Sequence, residues 1–595
     1  MKLRWLHIKG FKSVRDIDFE VDDFTCFIGQ NNHGKSNIFQ ALDLFFSSGA
    51  AHAEHFFRSP TTIERDITIE ARFMELSPEE MEKLNPWCVD GTLTVSKKYS
   101  IDVEGKTQII YDAIMRVPKN EWLNEEFENY HDRSIVEGLP IYDFIPEKGR
   151  ITKQIYKDAI QKYIESHTDI EYHEEKRSNP AGYKQVLDGY LPEFYLVPAV
   201  RDVTDEVKPS GAALFSRILS VIVGHIAKHN PAFERLVTAV QEIKKLIEGE
   251  TPETKLVEIR QLESKLEQEL KPWNIKLNIG VEIPDVERVF QLGTNVSLDD
   301  GIPTSISEKG HGLQRSLIFA LMRVWSSVLK ESRIEEDSGH KERSHFFAFE
   351  EPELFLHPQM CRATFESLKK ISETDQIFIC THSPHLIDME DYKSIIIVRK
   401  PDLETGTKIQ QVREELYDGE KKRQFNMIRY FNPDRNELFF ARKTILVEGA
   451  TEKVILPLLS RRLDLFDHSV SIIDCGSKFN LTLFMVVLNT FRIPYIVIHD
   501  EDPIAPEFMP GGLKYTPELY ADANRNYIEN RKISETCDPG IGNIIMIPDK
   551  FEKLLGVTDS QVKKLGKPFA AVEKYANDAE PIPRALVELI KEVNK

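Results

Sequence analysis

One stretch near the N-terminus has the residue types and spacing to hold a nucleotide phosphate. Residues 29–36 read GQNNHGKS, a complete GxxxxGKS pattern between an apolar strand segment, 24–28, and an amphipathic helix, 38–46. In such a loop the glycines let backbone N–H groups surround the phosphates at a helix N-terminus, where the helix dipole favours anions. Lys35 would reach the β- and γ-phosphates, and Ser36 would hold Mg²⁺. The pattern predicts an ATP site with these binding residues: Asn32, Gly34, Lys35 and Ser36.

Further along the chain, two apolar segments end in residues that suit the other side of a nucleotide site. Residues 346–353 read FFAFEEPE, an apolar run ending in paired acids, which is the form of a Walker B strand. A buried strand of this kind would deliver Glu350 to the metal and Glu351 to the attacking water. After the apolar segment 377–380, His382 stands where a histidine can contact the γ-phosphate. Acids or a histidine at a strand end often have only structural roles. The assignments therefore depend on the presence of the phosphate loop earlier in the chain.

A second acidic constellation lies in the C-terminal part of the chain. Residues 444–452 read TILVEGATE, a strand, a glycine turn and a helix that present Glu448 and, one helical turn later, Glu452. Residues 495–502 read YIVIHDED, and strand alternation would put the two final aspartates, Asp500 and Asp502, on one face. Carboxylates at the ends of parallel strands form an oxygen-rich site for Mg²⁺ or Mn²⁺, whereas zinc prefers nitrogen and sulfur. Two such ions can activate water and stabilise the leaving oxygen in phosphodiester cleavage. The alternative interpretation is that these acids are solvent-exposed side chains at strand ends and bind no metal.

Short strands in the first and the last block of the chain must position these residues. The first block runs to about residue 201 and contains strand segments at 3–8, 24–28 and 194–200. The last block begins with strands at 346–349, 377–380 and 395–398, followed by a charged linker, 414–435, with some helix. From residue 444 strands alternate with helices to the end, which implies parallel α/β sheets.

Between these blocks lies a helical one. Residues 212–226 are apolar almost all round, and two further apolar stripes follow a helical period. An internal helical hairpin and a contact with a second copy of the chain explain the stripes equally well. The stripes consist of Phe233, Leu236, Val237, Val240, Ile243 and Ile247, and then of Leu256, Ile259, Leu262, Leu266 and Leu270.

Length and composition limit the class of protein. A chain of 595 residues should form two to four domains, and 41% hydrophobic with 29% charged residues is ordinary for a globular protein. No apolar run is long enough for a signal peptide or a membrane span. Six scattered cysteines without a CxxC pair argue against disulfides or zinc and favour a reducing cytoplasm. The net charge of −19 means that nucleic-acid phosphates would have to be met by local basic patches or bound metal ions.

The order of these motifs resembles a known family. IKGFKS before the phosphate loop, a long insertion, GHGLQRS at 310–316, FAFEEPELFLHP at 347–358 and CTHSP at 380–384 resemble the RecF/SMC branch of ABC ATPases. With EGxxE and DxD following at Toprim spacing, the chain more closely resembles the OLD (overcoming lysogenization defect) nucleases, which include the nuclease subunit of Gabija defence systems. The resemblance implies an α/β protein: an ABC-type ATPase head with a helical insertion, followed by a C-terminal Toprim domain.

The resemblance also assigns roles to further residues. Gly312 and Gln314 stand where ABC proteins carry the signature motif, which completes the nucleotide site of a second subunit, so ATP would bind between two heads. His382 would be the switch histidine. Two departures, Glu350 in place of the usual aspartate and a signature without LSGG, weaken the case for rapid, tightly coupled hydrolysis. Near the C-terminus Glu552 and Lys567 would join the metal site, although Asp549 and Lys564 nearby leave the register open. A lysine there could neutralise charge that develops on the scissile phosphate.

The expected domains are an ATPase N-terminal half at 1–205, a helical insertion that dimerises at 206–275, an ATPase C-terminal half at 276–400, a linker at 401–440 and a Toprim nuclease domain at 441–595. The expected function is that of an ATP-binding, divalent-metal-dependent DNA endonuclease acting in anti-phage defence or DNA repair. Its expected partners are DNA, a second copy or a higher homo-oligomer, and a helicase-like or other defence-system protein, with no membrane.

Two other functions remain open from the sequence. One is a nucleic-acid-binding signalling ATPase whose Toprim domain does not cleave, although the intact acidic set disfavours it. The other is topoisomerase or primase chemistry, which Toprim domains also serve. A topoisomerase would need a nucleophilic tyrosine from a separate domain, and a primase would need a template-binding module that the cysteines do not supply.

Overall fold

The computed structural model describes most of the chain and divides it into two units. The described residues are 1–47, 49–102, 105–124, 127–167, 169–199, 255–269, 297–299, 301–305, 308–314, 316–322, 344–417, 419–421 and 433–594, with a few isolated positions between 231 and 324. The first unit comprises Met1–Phe194, Arg343–Ala348 and Phe378–Lys595, and the second comprises Tyr195–Glu342 and Phe349–Ile377.

Strands dominate the N-terminal part of the first unit. In chain order the elements are β1 (Lys2–Phe11), β2 (Val14–Glu20), β3 (Phe24–Ile28), α1 (Lys35–Phe46), β4 (Asp66–Met74), α2 (Pro78–Leu84), β5 (Cys88–Val89), β6 (Thr92–Ile101), β7 (Thr107–Pro118), α3 (Arg133–Val136), α4 (Lys153–Ser166), β8 (Tyr172–Ser178), α5 (Tyr183–Tyr190) and β9 (Glu193–Val197). The strands predicted at 3–8 and 24–28 are confirmed, and β3 matches its prediction residue for residue.

One of the sheets of this part is antiparallel. Its order is β2-β1-β4-β6-β7-β8, with β5 paired to β6. In β4 every second side chain is buried, beginning with Ile67 and Ile69, as expected when one face of a strand covers a core. This sheet was not predicted, because short apolar segments do not show which strands pair.

A second sheet carries the phosphate loop. The elements that follow are β12 (His345–Glu350), β13 (Gln376–Thr381), β14 (Ile395–Arg399) and β15 (Lys408–Gln411), and the sheet order is β15-β14-β3-β13-β12-β9. Strand β3 pairs in parallel with β14, and all five of its side chains are buried, which explains its uninterrupted apolar sequence. The phosphate loop follows β3 and His382 follows the neighbouring strand β13, so this sheet places both at strand ends.

Only part of the second unit is described. It contains α6 (Val257–Glu269), the hairpin of β10 (Ser297–Asp299) and β11 (Pro303–Ser305), and α7 (Pro358–Ser372). Helix α6 confirms a helix over the second apolar stripe, and its residues Leu262 and Leu266 are exposed in the single chain. The segment 212–226 and most of the first stripe lie outside the described residues, so the helical insertion and its dimer contact stay predictions.

The C-terminal part of the first unit is a parallel α/β layer. Its elements are β16 (Lys443–Val447), α8 (Ala450–Arg462), β17 (Val470–Asp474), α9 (Leu481–Thr490), β18 (Tyr495–Asp500), α10 (Pro517–Thr536), β19 (Gly542–Ile547), α11 (Phe551–Leu554), α12 (Asp559–Leu565), α13 (Lys567–Tyr575) and α14 (Arg584–Val593). All pairs in the sheet β17-β16-β18-β19 are parallel, which confirms the prediction.

The register of this sheet decides what meets at its edge. Val447 lies opposite both Asp474 and Ile498, so β16, β17 and β18 end side by side. The core beneath includes Ile445 and Ile455. The acidic residues that follow these strands are thereby brought to one edge. No helix in the part of the chain that the structure describes is long and apolar enough to cross a membrane.

Candidate nucleotide and metal sites

Two glycines of the phosphate loop are required by their surroundings. Gly34 has φ +101°, and a Cβ there would come within 2.2 Å of Thr407 Oγ1 and 2.6 Å of Ser13 Oγ. Gly29 has φ +148°, and a Cβ there would lie 2.2 Å from the carbonyl oxygen of Val398 in β14. Glycine is therefore needed at both positions for backbone conformation and for space.

The basic and polar residues of the loop are arranged to meet an anion. Lys35 is only 5% exposed, and its Nζ donates to the carbonyl oxygens of Gly29 and Gln30, both at 2.9 Å. Asn32 and Ser36 are exposed, with Asn32 at φ +63°. A buried ammonium beside an open loop at the N-terminus of α1 fits a nucleotide phosphate.

Two further residues support the loop from behind. Thr407 is fully buried immediately before β15, and its Oγ1 donates to the carbonyl oxygen of His33 at 2.9 Å. Ser13 Oγ lies 2.7 Å from Thr407 Oγ1 and accepts from Asn37 Nδ2 at 2.7 Å. Neither residue was predicted to have a role. Ser13 falls within the IKGFKS segment at 8–13, but nothing in the sequence marks Thr407.

His382 lies in the same electrostatic environment as the loop. Burial, and then repulsion by the ammonium of Lys35, lowers the pKa of His382 to about 4. The imidazole is therefore neutral near pH 7, so that one ring nitrogen can donate a hydrogen bond while the other accepts one.

In the second unit Glu350 and Glu351 follow the core of β12. Glu350 Oε2 accepts from the backbone N–H of Ala199 at 3.4 Å, while its buried Oε1 has no hydrogen-bond partner among the described residues. A buried carboxylate oxygen without a donor fits a hard cation such as Mg²⁺. Glu351 adopts a left-handed backbone, with φ +44°.

The residues of the predicted signature segment pack within their own unit. A Cβ on Gly312 would come within 2.9 Å of the carbonyl oxygen of Phe355, so the backbones approach closely there. Gln314 is buried, and its Nε2 donates to the carbonyl oxygen of Lys309 at 2.7 Å. Leu313 between them is exposed.

The acidic residues of the C-terminal part line one cavity of about 530 Å³. Its wall includes every residue predicted for this site: Glu448, Glu452, Asp500, Asp502, Glu552 and Lys567. Asp549 and Lys564 are not part of that wall, and Asp549 instead pairs with Lys553 at the surface. The structure thus brings the two residues of uncertain register, Glu552 and Lys567, to the predicted site.

Backbone groups hold two of the carboxylates in place. Glu448 Oε1 accepts from the N–H of Asp500 at 2.7 Å, and Asp500 Oδ1 accepts from the N–H of Phe551 at 2.8 Å. The prediction that strand alternation places Asp500 and Asp502 on one face was wrong. Strand β18 ends at Asp500, and Asp502 has a left-handed φ of +48°, so a turn rather than strand alternation brings Asp502 to the cavity.

Burial and mutual repulsion disfavour negative charge in this cavity. They raise the pKa of Glu452 to about 8 and that of Asp500 to about 7, with burial the larger cause in each. Burial likewise raises the pKa of Glu448. Such carboxyl groups gain stability when a cation neutralises them.

Two lysines supply part of that neutralisation. Lys567 Nζ lies 2.7 Å from Glu552 Oε1, and this hydrogen bond raises the pKa of Lys567. Lys478, 4% exposed, donates to the carbonyl oxygen of Asp500 at 2.5 Å and to Asp502 Oδ2 at 3.2 Å. No role was predicted for Lys478 from the sequence.

The donor set fits a hard divalent cation, but the side chains are not closed around one. Among the described residues, no three His, Cys, Asp or Glu side chains form a group that could hold a metal ion as they stand. The cavity offers anionic oxygens, as Mg²⁺ and Mn²⁺ require, and the lysines lie within the same space. Metal binding would therefore require carboxylates to turn from their lysine partners towards the ion.

Comparison with known families identifies two domains in the chain. A family model described as an AAA ATPase domain matches residues 1–387, well over half of the chain, and a model described as the Toprim domain of overcoming-lysogenization-defect-like proteins matches residues 439–502. The chain belongs to the family that this AAA ATPase model describes, and its C-terminal part is similar to the Toprim domain of OLD-like proteins. The predicted organisation, an α/β ATPase region followed by a C-terminal Toprim domain, is confirmed.

Individual relatives of this chain are named as nucleases. The Old nuclease of Escherichia phage P2 is 24% identical over 522 residues, which cover 84% of this chain and 77% of the relative. The OLD nuclease of Thermus scotoductus is 30% identical over 258 residues, 41% of this chain and 47% of the relative. Endonuclease GajA of Bacillus cereus is 25% identical over 208 residues, 34% of this chain and 32% of the relative.

Proposed function

We propose that this protein is an ATP-dependent DNA endonuclease that cleaves phosphodiester bonds at the Toprim cavity with divalent metal ions. The observation that carries the proposal is the convergence of four carboxyl groups, Glu448, Glu452, Asp500 and Asp502, on one cavity in which burial raises the pKa of three of them. The names of the relatives support nuclease chemistry, and DNA is the substrate we infer from them.

The residues of the cavity would have different roles in cleavage. The four carboxylates and Glu552 would hold the metal, which when bound supplies an activated water and charge stabilisation at the leaving oxygen. The N–H of Asp500 fixes the orientation of Glu448, and Lys478 holds Asp502. Lys567, more than half exposed at the cavity wall, can meet a scissile phosphate and neutralise its developing charge.

The residues of the nucleotide motifs would have the roles that the sequence predicts. Lys35 would bind the β- and γ-phosphates, and Ser36 and Glu350 would hold Mg²⁺. Glu351 would orient the attacking water, and neutral His382 would contact the γ-phosphate. Gly312 and Gln314 would complete the site of a second copy, which makes a homodimer the smallest active assembly that we propose. We also propose anti-phage defence, with a helicase-like or other defence-system partner, as the setting of this activity.

The rival functions are less well supported. The wall of the described cavity includes no tyrosine that could act as a topoisomerase nucleophile. The full set of acids disfavours a Toprim domain that does not cleave.

The test is nicking of supercoiled plasmid by the full chain with Mg²⁺ or Mn²⁺. Glu448→Gln should reduce cutting by at least about 100-fold, because it removes a charge that only the metal-bound state requires. The matched control is Asp549→Asn, a surface acid in the segment that carries Glu552, and it should cut as the unaltered protein does. Equal cutting by Glu448→Gln would overturn the proposal. Lys35→Ala then reports how ATP acts on the reaction.

A further inference from the structure

The segment that follows His382 is held by a buried asparagine from outside the ATPase sheet. A 3₁₀ helix spans Pro384–Leu386, and Leu386 is fully buried. The carbonyl oxygens of Pro384 and Ile387 both accept from Asn436 Nδ2, at 2.9 and 3.1 Å. Asn436 is 2% exposed, so hydrogen bonds to this segment replace those that its amide group would make to water.

The residue next to Asn436 holds the wall of the metal cavity. Arg435 is 8% exposed, and its Nε donates to the carbonyl oxygen of Asp474, the last residue of β17, at 2.6 Å. A Cβ on Gly476 would come within 3.1 Å of Arg435 Nη2, so the guanidinium lies against the turn. Gly476, Ser477 and Lys478 of that turn form part of the cavity wall.

Both residues lie in one short 3₁₀ helix, Pro433–Phe439, between the ATPase sheet and β16. Burying an arginine and an asparagine is unfavourable unless their polar groups are hydrogen-bonded. Here the partners are backbone carbonyls of two different functional segments. Two adjacent residues of one helix thus bind both segments.

Asn436 also has an unused hydrogen-bonding group. Its Oδ1 is buried and has no hydrogen-bond partner among the described residues. A buried acceptor of this kind is costly in a purely structural role and requires an explanation. It is available to a backbone N–H of the 383–387 segment if that segment shifts.

We propose that Asn436 and Arg435 are positioning residues that transmit the state of the segment after His382 to the Gly476–Lys478 wall of the metal cavity. Nucleotide at the Lys35 loop would move the 383–387 segment, and the wall carrying Lys478 would follow. The inference rests on the proposed nucleotide and nuclease sites, and it names the residues through which one would regulate the other.

The experiment is hydrogen–deuterium exchange of residues 474–480 in the full chain, with and without ATP, beside plasmid nicking under the same conditions. In the unaltered protein ATP should change exchange in this segment by roughly fivefold or more, the range of ordinary coupling between sites. Lys35→Ala should abolish the change. Asn436→Leu, similar in size but without the amide, should also abolish it while the protein still binds ATP.

Two further variants separate coupling from folding. Arg435→Lys keeps the charge but loses the Nε donor, and it should reduce the response in the same way. Asn489→Leu is the matched control, because Asn489 is a part-buried asparagine of α9 that bonds Thr536 and Tyr495, away from both sites. It should leave the response intact.

The possible results are distinguishable. If exchange at 474–480 does not respond to ATP in the unaltered protein, or responds equally in Asn436→Leu, the coupling is refuted. If exchange responds as expected but no plasmid is cut, the proposed nuclease function fails while the coupling stands.

Discussion

Glu452 and Asp500 show how burial sets the chemistry of a single side chain. The pKa of Glu452 is raised from 4.5 to about 8 and that of Asp500 from 3.8 to about 7. At pH values between the ordinary and the raised pKa, each of these groups keeps its proton in the folded chain but loses it in the unfolded chain. The metal-free protein therefore loses stability as pH rises from about 4 to about 8.

A divalent cation should reverse that loss, because it replaces the protons. We expect the rise in Tm caused by Mn²⁺ to be larger at pH 8.5 than at pH 5.5, measured by thermal unfolding without nucleotide. Glu452→Gln should reduce the pH dependence of this shift. An equal shift at both pH values would contradict the assignment of the cavity as a metal site.

Lys478 gives the second prediction at this scale. Lys478→Met keeps the apolar stem but removes the charged hydrogen-bond donor that holds Asp502, so the free energy of unfolding should fall on the order of 2 kcal/mol. Mg²⁺ should restore part of this loss by supplying another cation. Urea unfolding with and without Mg²⁺ measures both effects, and the exposed Lys564→Met is the control. If Mg²⁺ does not reduce the loss of unfolding free energy, Lys478 and the metal do not neutralise the same carboxylates.

At the scale of elements, the hairpin of β14 and β15 shapes the phosphate loop. Gly34 needs both its left-handed φ and the space that Thr407 and Ser13 leave. Gly34→Ala should weaken ATP binding by at least about tenfold and lower stability by about 1–3 kcal/mol. Isothermal titration measures the affinity. Gly149→Ala is a matched control, because Gly149 has φ +105° with nothing within 4 Å of a Cβ. If both variants bind ATP equally well, the contact with Thr407 is unimportant.

The elements also show what local patterns can predict. Strand β3 was predicted residue for residue, because a strand buried on both faces is a continuous apolar run. Strand β8, Tyr172–Ser178, has a polar sequence and was not predicted, since its place depends on pairing with β7. In β6 the buried Lys97 interrupts the apolar pattern, and its Nζ finds the carbonyl oxygen of Phe45 only in the folded chain.

At the scale of the whole molecule, the proposed ATP site needs two copies. Leu313, exposed between Gly312 and Gln314, would face the nucleotide of the second copy. Lys35→Ala and Leu313→Arg should therefore each abolish ATP hydrolysis alone. A 1:1 mixture should regain about a quarter of the activity, because half of the dimers would carry one intact site. Phosphate release after mixing and subunit exchange is the measurement, with each variant alone as control. A mixture no more active than its parts would exclude a shared site.

The sequence by itself indicated the chemistry that we propose for this protein. The phosphate loop, the acids after β16 and β18 and the family resemblance are short, local patterns, so they could be recognised without the fold. Even Glu552 and Lys567, left open in register, were placed at the cavity where the resemblance implied.

Only the tertiary structure decided how those residues are supported. Thr407 bonds His33, 374 positions away, and Asn436 reaches Pro384, 52 positions away. Asp502 enters the cavity through a left-handed turn that strand alternation did not predict. These contacts join segments that are distant in the chain, and no periodicity of neighbouring residues encodes which segments will meet. Packing of whole elements decides them, and it also decides which lysines face which carboxylates.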